Sequence, residues 1–128
     1  MKRVTVIGGL FIKAKNPKTM NEWYEKHLGL KPEPGGSAVV LRWREFDNPD
    51  REGSTAWAVF ENDSTYFDPS RAPFMINYRV DDLDALLEAL RAEGVSIDPK
   101  RGDYPYGRFA WITDPEGNRI ELWEPSKE

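Results

Sequence analysis

The apolar residues of this chain first predict a strand. VTVIGGLFIKA (residues 4–14) is rich in β-branched side chains. The period then lengthens: Met20, Trp23, Tyr24, His27 and Leu28 recur at helical spacing. Asn16-Pro17 supplies an N-cap and an N1 proline ahead of that helix, and Gly29 suits the position just past its end. Pro32, Pro34, Gly35 and Gly36 then predict a loop. SAVVLRWREF (37–46) and STAWAVFE (54–61) return to strand character around a hairpin-like turn, DNPDREG (47–53).

The order then restarts. PFMINYRV (73–80) predicts a strand, Asp81 and Asp82 cap a helix carrying Leu83, Leu86, Leu87 and Leu90, and Gly94 ends it. VSIDPKRGDYPYG (95–107) reads as a loop leading into the strand RFAWIT (108–113). DPEGN (114–118) is a turn in which Gly117 takes positive φ, and RIELWE (119–124) is the last strand. Matching features recur roughly 65 residues apart, which indicates an internal duplication. Module one covers about residues 1–62 and module two about 73–128, joined through ENDSTYFDPSRAP (61–73), within a single domain spanning 1–128.

Composition narrows the chemistry. At 128 residues, 39% hydrophobic and 31% charged, the chain reads as one soluble globular domain. A net charge of −4 with both signs interspersed argues against a nucleic-acid partner or a basic membrane-binding surface. No apolar run approaches a membrane span and no signal-type segment opens the chain, so a cytoplasmic protein is expected. There is no cysteine, which excludes disulfides and thiolate chemistry, and His27 is the single histidine. Metal sites needing two histidines from one chain are therefore excluded. No nucleophile elbow, phosphate loop or dinucleotide fingerprint occurs, and no cofactor is expected.

The doubled strand–helix–meander ending in DPEGNRIELWEP, with WYEKHLGL and YRVDDLDALLEALRAEGV in the matching places, resembles the vicinal oxygen chelate superfamily. Glyoxalase I, extradiol dioxygenases, and fosfomycin- and bleomycin-resistance proteins belong to that group. The resemblance spans nearly the whole chain and implies an α+β fold: two tandem βαβββ modules forming a cupped mixed sheet, helices outside, a small-molecule cavity within, and pairing into homodimers. In metal-dependent members each module offers one ligand from its first strand and one, usually Glu, from its last. Carried across, those positions fall on Gly9, Trp57, Met75 and Glu121. Only Glu121 is a ligand type: glycine offers no side-chain donor atom, an indole N–H only donates, and a thioether suits hard or borderline cations poorly. No metal site is expected.

Strand alternation then sorts side chains by face. Phe11 and Lys13 follow Gly9 into the cup, Asn77 and Arg79 follow Met75, and Arg119 and Trp123 follow Glu121. Phe109 and Trp111 line it from RFAWIT, and Trp57 faces in with Ala56 and Ala58 outside. One of Arg42 and Trp43 faces inward. The expected cup is aromatic, with Lys13, Asn77, Arg79 and Glu121 as polar anchors. Flat rings stack on the indoles, while Lys13 or Arg79 holds a carboxylate. The alternative is a cup filled by its own aromatics, with the cations neutralising Glu121. Tyr66 and Phe67 cover an edge or a dimer seam, and Tyr104, Tyr106 and Arg108 form a surface loop or a flap over the mouth.

Three functions follow. The leading expectation is a metal-independent protein of the glyoxalase/bleomycin-resistance type that holds a planar or aromatic organic ligand. The second is a glyoxalase-like lyase or isomerase using Glu121 as acid/base, and not an extradiol dioxygenase. The third is a structural or interaction module without ligand.

Overall fold

A computed structural model describes residues 2–127. The order is β1 (Val4–Ala14), α1 (Pro17–Leu28), β2 (Ala38–Arg44), β3 (Glu52–Glu61), β4 (Phe74–Val80), α2 (Leu83–Ala92), β5 (Ser96–Tyr104), β6 (Gly107–Thr113) and β7 (Arg119–Pro125). The strands form one mixed, cupped sheet in the order β2-β3-β1-β4-β7-β6-β5. Parallel pairs β1–β3 and β4–β7 flank the antiparallel junction β1–β4, so the duplication is visible as two matched halves meeting at their first strands.

Each helix covers the convex face of its own half. Leu83, Leu86, Leu87 and Leu90 of α2 pack with Val80, Ala110 and Leu122 into a buried cluster. Asp82 caps this helix by accepting from the Ala85 amide at 3.1 Å, and Glu124 of β7 accepts from the Leu83 amide at 2.7 Å. Both satisfy N–H groups that the helix leaves unpaired and place negative charge at the positive end of its dipole. α1 sits more shallowly and buries none of its residues completely. Met20 and Tyr24 meet Val39, Trp57 and Val59, whereas Trp23 is 51% exposed with its ring centroid 4.9 Å from that of His27. The predicted stripe therefore divides: Met20 and Tyr24 face the sheet, and Trp23, His27 and Leu28 face outward. Asn16 caps α1 through the Thr19 amide, and Gly29 closes it at φ 70°.

One predicted loop is a strand. Residues 96–104 form edge strand β5 against β6, with a register shift between Ile97 and Arg101. Pro99 lies in that irregular stretch, where a residue without an amide donor interrupts no regular ladder. The first half has no strand in the corresponding place; its proline- and glycine-rich residues 29–37 run as a loop, leaving β2 at the other edge. No helix among the described residues is long and apolar enough to cross a membrane.

Candidate functional site

The concave face gathers its residues by register. Phe11 pairs with Met75, Gly9 with Asn77, Asn77 with Glu121, and Arg79 with Trp123; across β6, Trp111 pairs with Glu121 and Phe109 with Trp123. Phe11, Met75, Phe109, Trp111 and Trp123 form one apolar cluster there, joined by Phe60 and Phe67.

Trp57 is not part of it. Its ring lies against Tyr24 of α1, with centroids 4.6 Å apart, in the cluster on the convex side. The turns before β3 and β7, DNPDREG and DPEGN, differ in length, so counting four residues on from Gly53, as Glu121 stands four on from Gly117, does not reach the equivalent face. A strand read one residue out of step turns every side chain to the wrong face. Trp57 and Val59 instead pack under α1, and Ala56 and Ala58 pair with the cup-facing Gly9 and Phe11 of β1. The counterpart of Glu121 in the first half is thus an alanine.

Glu121 sits at the closed end of the cup, 2% exposed. The DPEGN turn positions it. Asp114 Oδ1 accepts from the amides of Glu116 and Asn118, both at 2.9 Å, Gly117 takes φ 83°, and β7 starts at Arg119. These bonds hold the Asp114 carboxyl below its usual range, the bonds from Asn118 contributing most. Glu121 accepts from Asn77 Nδ2 at 2.6 Å, from Trp111 Nε1 at 2.9 Å and from the Tyr66 hydroxyl. The expected cation partner is not there. Arg119, 5.2 Å from the Trp111 ring, is paired with Asp98 at 2.9 Å, and Lys13 lies 5.1 Å from the Phe67 ring. Three neutral donors hold this carboxylate instead. They satisfy its lone pairs without moving a second charge out of water.

Two of the residues closing this end come from the connecting segment. Phe67 is fully buried against Phe60 and Met75, and Tyr66 stacks on Phe60 with centroids 5.5 Å apart. Burial, and then the charge of Glu121, raises the Tyr66 phenol well above its ordinary pKa. The segment plugs this end of the cup, where an edge or a dimer seam is what the sequence suggests for it. Its apolar pair between polar residues, YF in STYFDPS, is the signal that pointed there.

The opposite end is open. A cleft of about 950 Å³ is lined by Arg79, Trp123, Tyr106, Gly53 and Ser54, among others. Arg79 lies between two indoles, its guanidinium carbon 4.8 Å from the Trp123 ring and 5.1 Å from the Trp43 ring. Of the Arg42/Trp43 pair, Trp43 meets Arg79 with its ring, while Arg42, paired with Glu52 at 2.6 Å, is the one that lines the cleft. Gly8 makes this geometry possible. It lies where β1 slips register against β4, and a Cβ there would stand 2.4 Å from Asn77 Oδ1 and 2.7 Å from Arg79 Cγ.

The donor set does not fit the metal expected of a metal-dependent relative. Gly9 presents backbone, Met75 a buried thioether, Trp57 is on the far face, and the Glu121 oxygens already accept three hydrogen bonds. Among the described residues no three Asp, Glu, His or Cys side chains converge.

Residues 7–122 match the family model described as Glyoxalase/Bleomycin resistance protein/Dioxygenase superfamily. No curated protein matches the sequence. Among solved structures, a variant of Streptomyces coelicolor methylmalonyl-CoA epimerase in complex with 2-nitronate-propionyl-CoA aligns with TM-score 0.69 at 17% identity, over 97% of this chain and 99% of its own. Methylmalonyl-CoA epimerase from Mycobacterium tuberculosis aligns with TM-score 0.60 at 21% identity, over 99% and 92%. NAD-dependent benzaldehyde dehydrogenase from Legionella pneumophila gives 0.59 at 14%, over 92% and 98%. At these identities the likeness is one of fold.

Proposed function

Because this chain belongs to the Glyoxalase/Bleomycin resistance protein/Dioxygenase superfamily, we propose that it uses the family's cup to hold a small planar or aromatic organic molecule without a metal. The observation that carries this reading is the division of the cup. The end around Glu121 is closed by Tyr66 and Phe67, while the end around Arg79, Trp123 and Tyr106 is an open cleft of about 950 Å³. That volume suits a small-molecule site, and its wall sets two aromatic residues, Trp123 and Tyr106, among charged ones that include Arg79, Arg42 and Glu45. Of the residues expected to bind the ligand, Arg79 and Trp123 line the cleft. Phe11, Lys13, Met75, Asn77, Trp111 and Glu121 lie outside its wall, toward the closed end.

The test has two parts. Protein purified without chelator and then offered Mn²⁺, Ni²⁺, Zn²⁺ and Fe²⁺ is expected to retain no stoichiometric metal. A panel of aromatic compounds is expected to include members that raise its melting temperature, since an occupant of the folded state stabilises it by mass action. A stoichiometric metal overturns metal independence, and an unresponsive protein supports a module without ligand.

The methylmalonyl-CoA epimerases among the structural relatives make an isomerase the rival reading, with Glu121 as base. That chemistry requires residues 62–73 to leave the cup, because Tyr66 occupies the carboxylate and Phe67 fills the space beside Met75. Pairing into a homodimer belongs to the same proposal. Ile7, Leu10 and Phe74 leave an apolar strip exposed along the β1–β4 junction, and light scattering on the purified protein tests it.

A further inference from the structure

We propose that Arg79 is the anion anchor of the open cleft, and that the molecule held there is an aromatic carboxylate. This rests on the binding reading above and adds the charge of the ligand.

Arg79 and the exposed Lys127 are the cations of the cleft wall that no carboxylate among the described residues pairs, and of the two Arg79 is the one held in place by aromatic rings. Arg42 pairs with Glu52 at 2.6 Å and Arg51 with Glu45 at 3.8 Å, whereas no carboxylate among the described residues comes within ion-pair distance of Arg79. Its one hydrogen bond runs from Nη1 to the Ser54 carbonyl at 3.2 Å. A guanidinium carries five N–H donors, so most remain available. Trp123 and Trp43 fix its position without neutralising it. A half-buried cation without a counter-ion is costly, and burial lowers its pKa. A carboxylate meeting the planar fork edge-on would remove that cost through two parallel hydrogen bonds.

The neighbouring charges select the anion. Glu45 and Asp81 favour the charged form of Arg79 while Arg51, itself paired with Glu45 at 3.8 Å, opposes it; the charge to be matched is the single one of the guanidinium, which suits one added negative charge better than two. Glu124, also in the wall, is occupied by the Leu83 amide and by Arg108 at 3.8 Å. Lys13, the other cation expected to hold a carboxylate, stands beside Phe67 in the closed end.

The ring has a place as well. Trp123 stacks on Phe109, with centroids 5.9 Å apart and planes 5° from parallel, and takes Arg79 against its ring too. Tyr106 stacks on Tyr104 and remains 60% exposed at the cleft wall. A flat ligand whose carboxylate reaches Arg79 would lay its ring against Tyr106.

The experiment is calorimetric titration of the full chain with benzoate, 2-naphthoate and indole-3-carboxylate, each beside its neutral amide, and with 2-naphthyl phosphate. At least one carboxylate is expected to bind about tenfold or more tighter than its amide. That preference should disappear in Arg79→Gln and return in part in Arg79→Lys, with Lys13→Gln unchanged. Equal binding of acid and amide would remove the anchor and leave the aromatic cleft standing. Binding of neither would remove both. Phosphate binding tighter than every carboxylate would overturn the choice of anion. Loss of the preference in Lys13→Gln, with Arg79→Gln unaffected, would move the anchor to the closed end. The acid–amide comparison needs only the unaltered protein and decides the charge of the ligand even if Arg79→Gln does not fold, while Lys127→Gln is expected to keep the preference and its loss there would move the anchor to Lys127.

Discussion

Tyr66 donates its hydroxyl to Glu121, tying the segment between the two halves of the chain to the one carboxylate buried at the floor of the cup. Position 66 is remote from β7 in sequence, so this bond forms only once both halves have closed around the segment. It turns a connection into a plug.

Tyr66→Phe removes one of three donors from a buried carboxylate while keeping the ring on Phe60. A loss of about 1–3 kcal/mol is expected, read as a lower urea midpoint with unchanged slope. A loss of only a few tenths would show that the hydroxyl is not holding the segment.

Alkaline titration should isolate the same residue. The Tyr66 phenol has a raised pKa in the folded state. As pH rises past the ordinary phenol value of about 10, the unfolded chain gives up this proton and the folded chain keeps it. The stabilisation is thus complete below that pH and falls above it. Absorbance at 295 nm should show one of the five tyrosines ionising only as the protein unfolds. Five equivalent titrations in folded protein would contradict the buried bond.

Glu121→Gln places an amide N–H₂ among three donors that all point at one side chain. The variant is expected to lose about 1–3 kcal/mol and to bind the naphthoate probe as the parent does, because the cleft lies at the other end. If a catalysed isomerisation is found and persists in Glu121→Gln, the base assignment is wrong.

Trp57→Ala removes the ring on which Tyr24 packs and should cost about 3–5 kcal/mol by denaturant unfolding, as large core truncations do. At temperatures where the variant is folded, its affinity for aromatic probes is expected to match the parent. A selective loss of binding would return Trp57 to the cup.

Gly8→Ala sets a methyl against Asn77 Oδ1 and Arg79 Cγ. A destabilisation of about 1–3 kcal/mol is expected, together with weaker acid-over-amide preference, since Arg79 must shift.

The apolar periods and turn residues of the chain by themselves determined the two-fold repeat, both helices with their caps, and the strands that carry Met75, Arg79, Trp111 and Glu121. Those features are local: a strand alternates with period two, a cap needs one side chain in one place, and the DPEGN turn holds Glu121 four residues on from Gly117. Only the tertiary structure decided the rest. Counting from the turn puts Trp57 on the wrong face, because its parity depends on pairing with β1 and not on the turn before it. Strand β5 was hidden because Ser96–Tyr104 is polar and holds a proline, and it exists through hydrogen bonds to β6. The closed end of the cup comes from the 62–73 segment folding back over Met75 and Glu121, a long-range contact in which Phe67 is buried and Tyr66 reaches the carboxylate, and no short window encodes it. Arg79 stands free for the same kind of reason: which arginine finds a carboxylate depends on distances across strands, and those are fixed only when the sheet has closed.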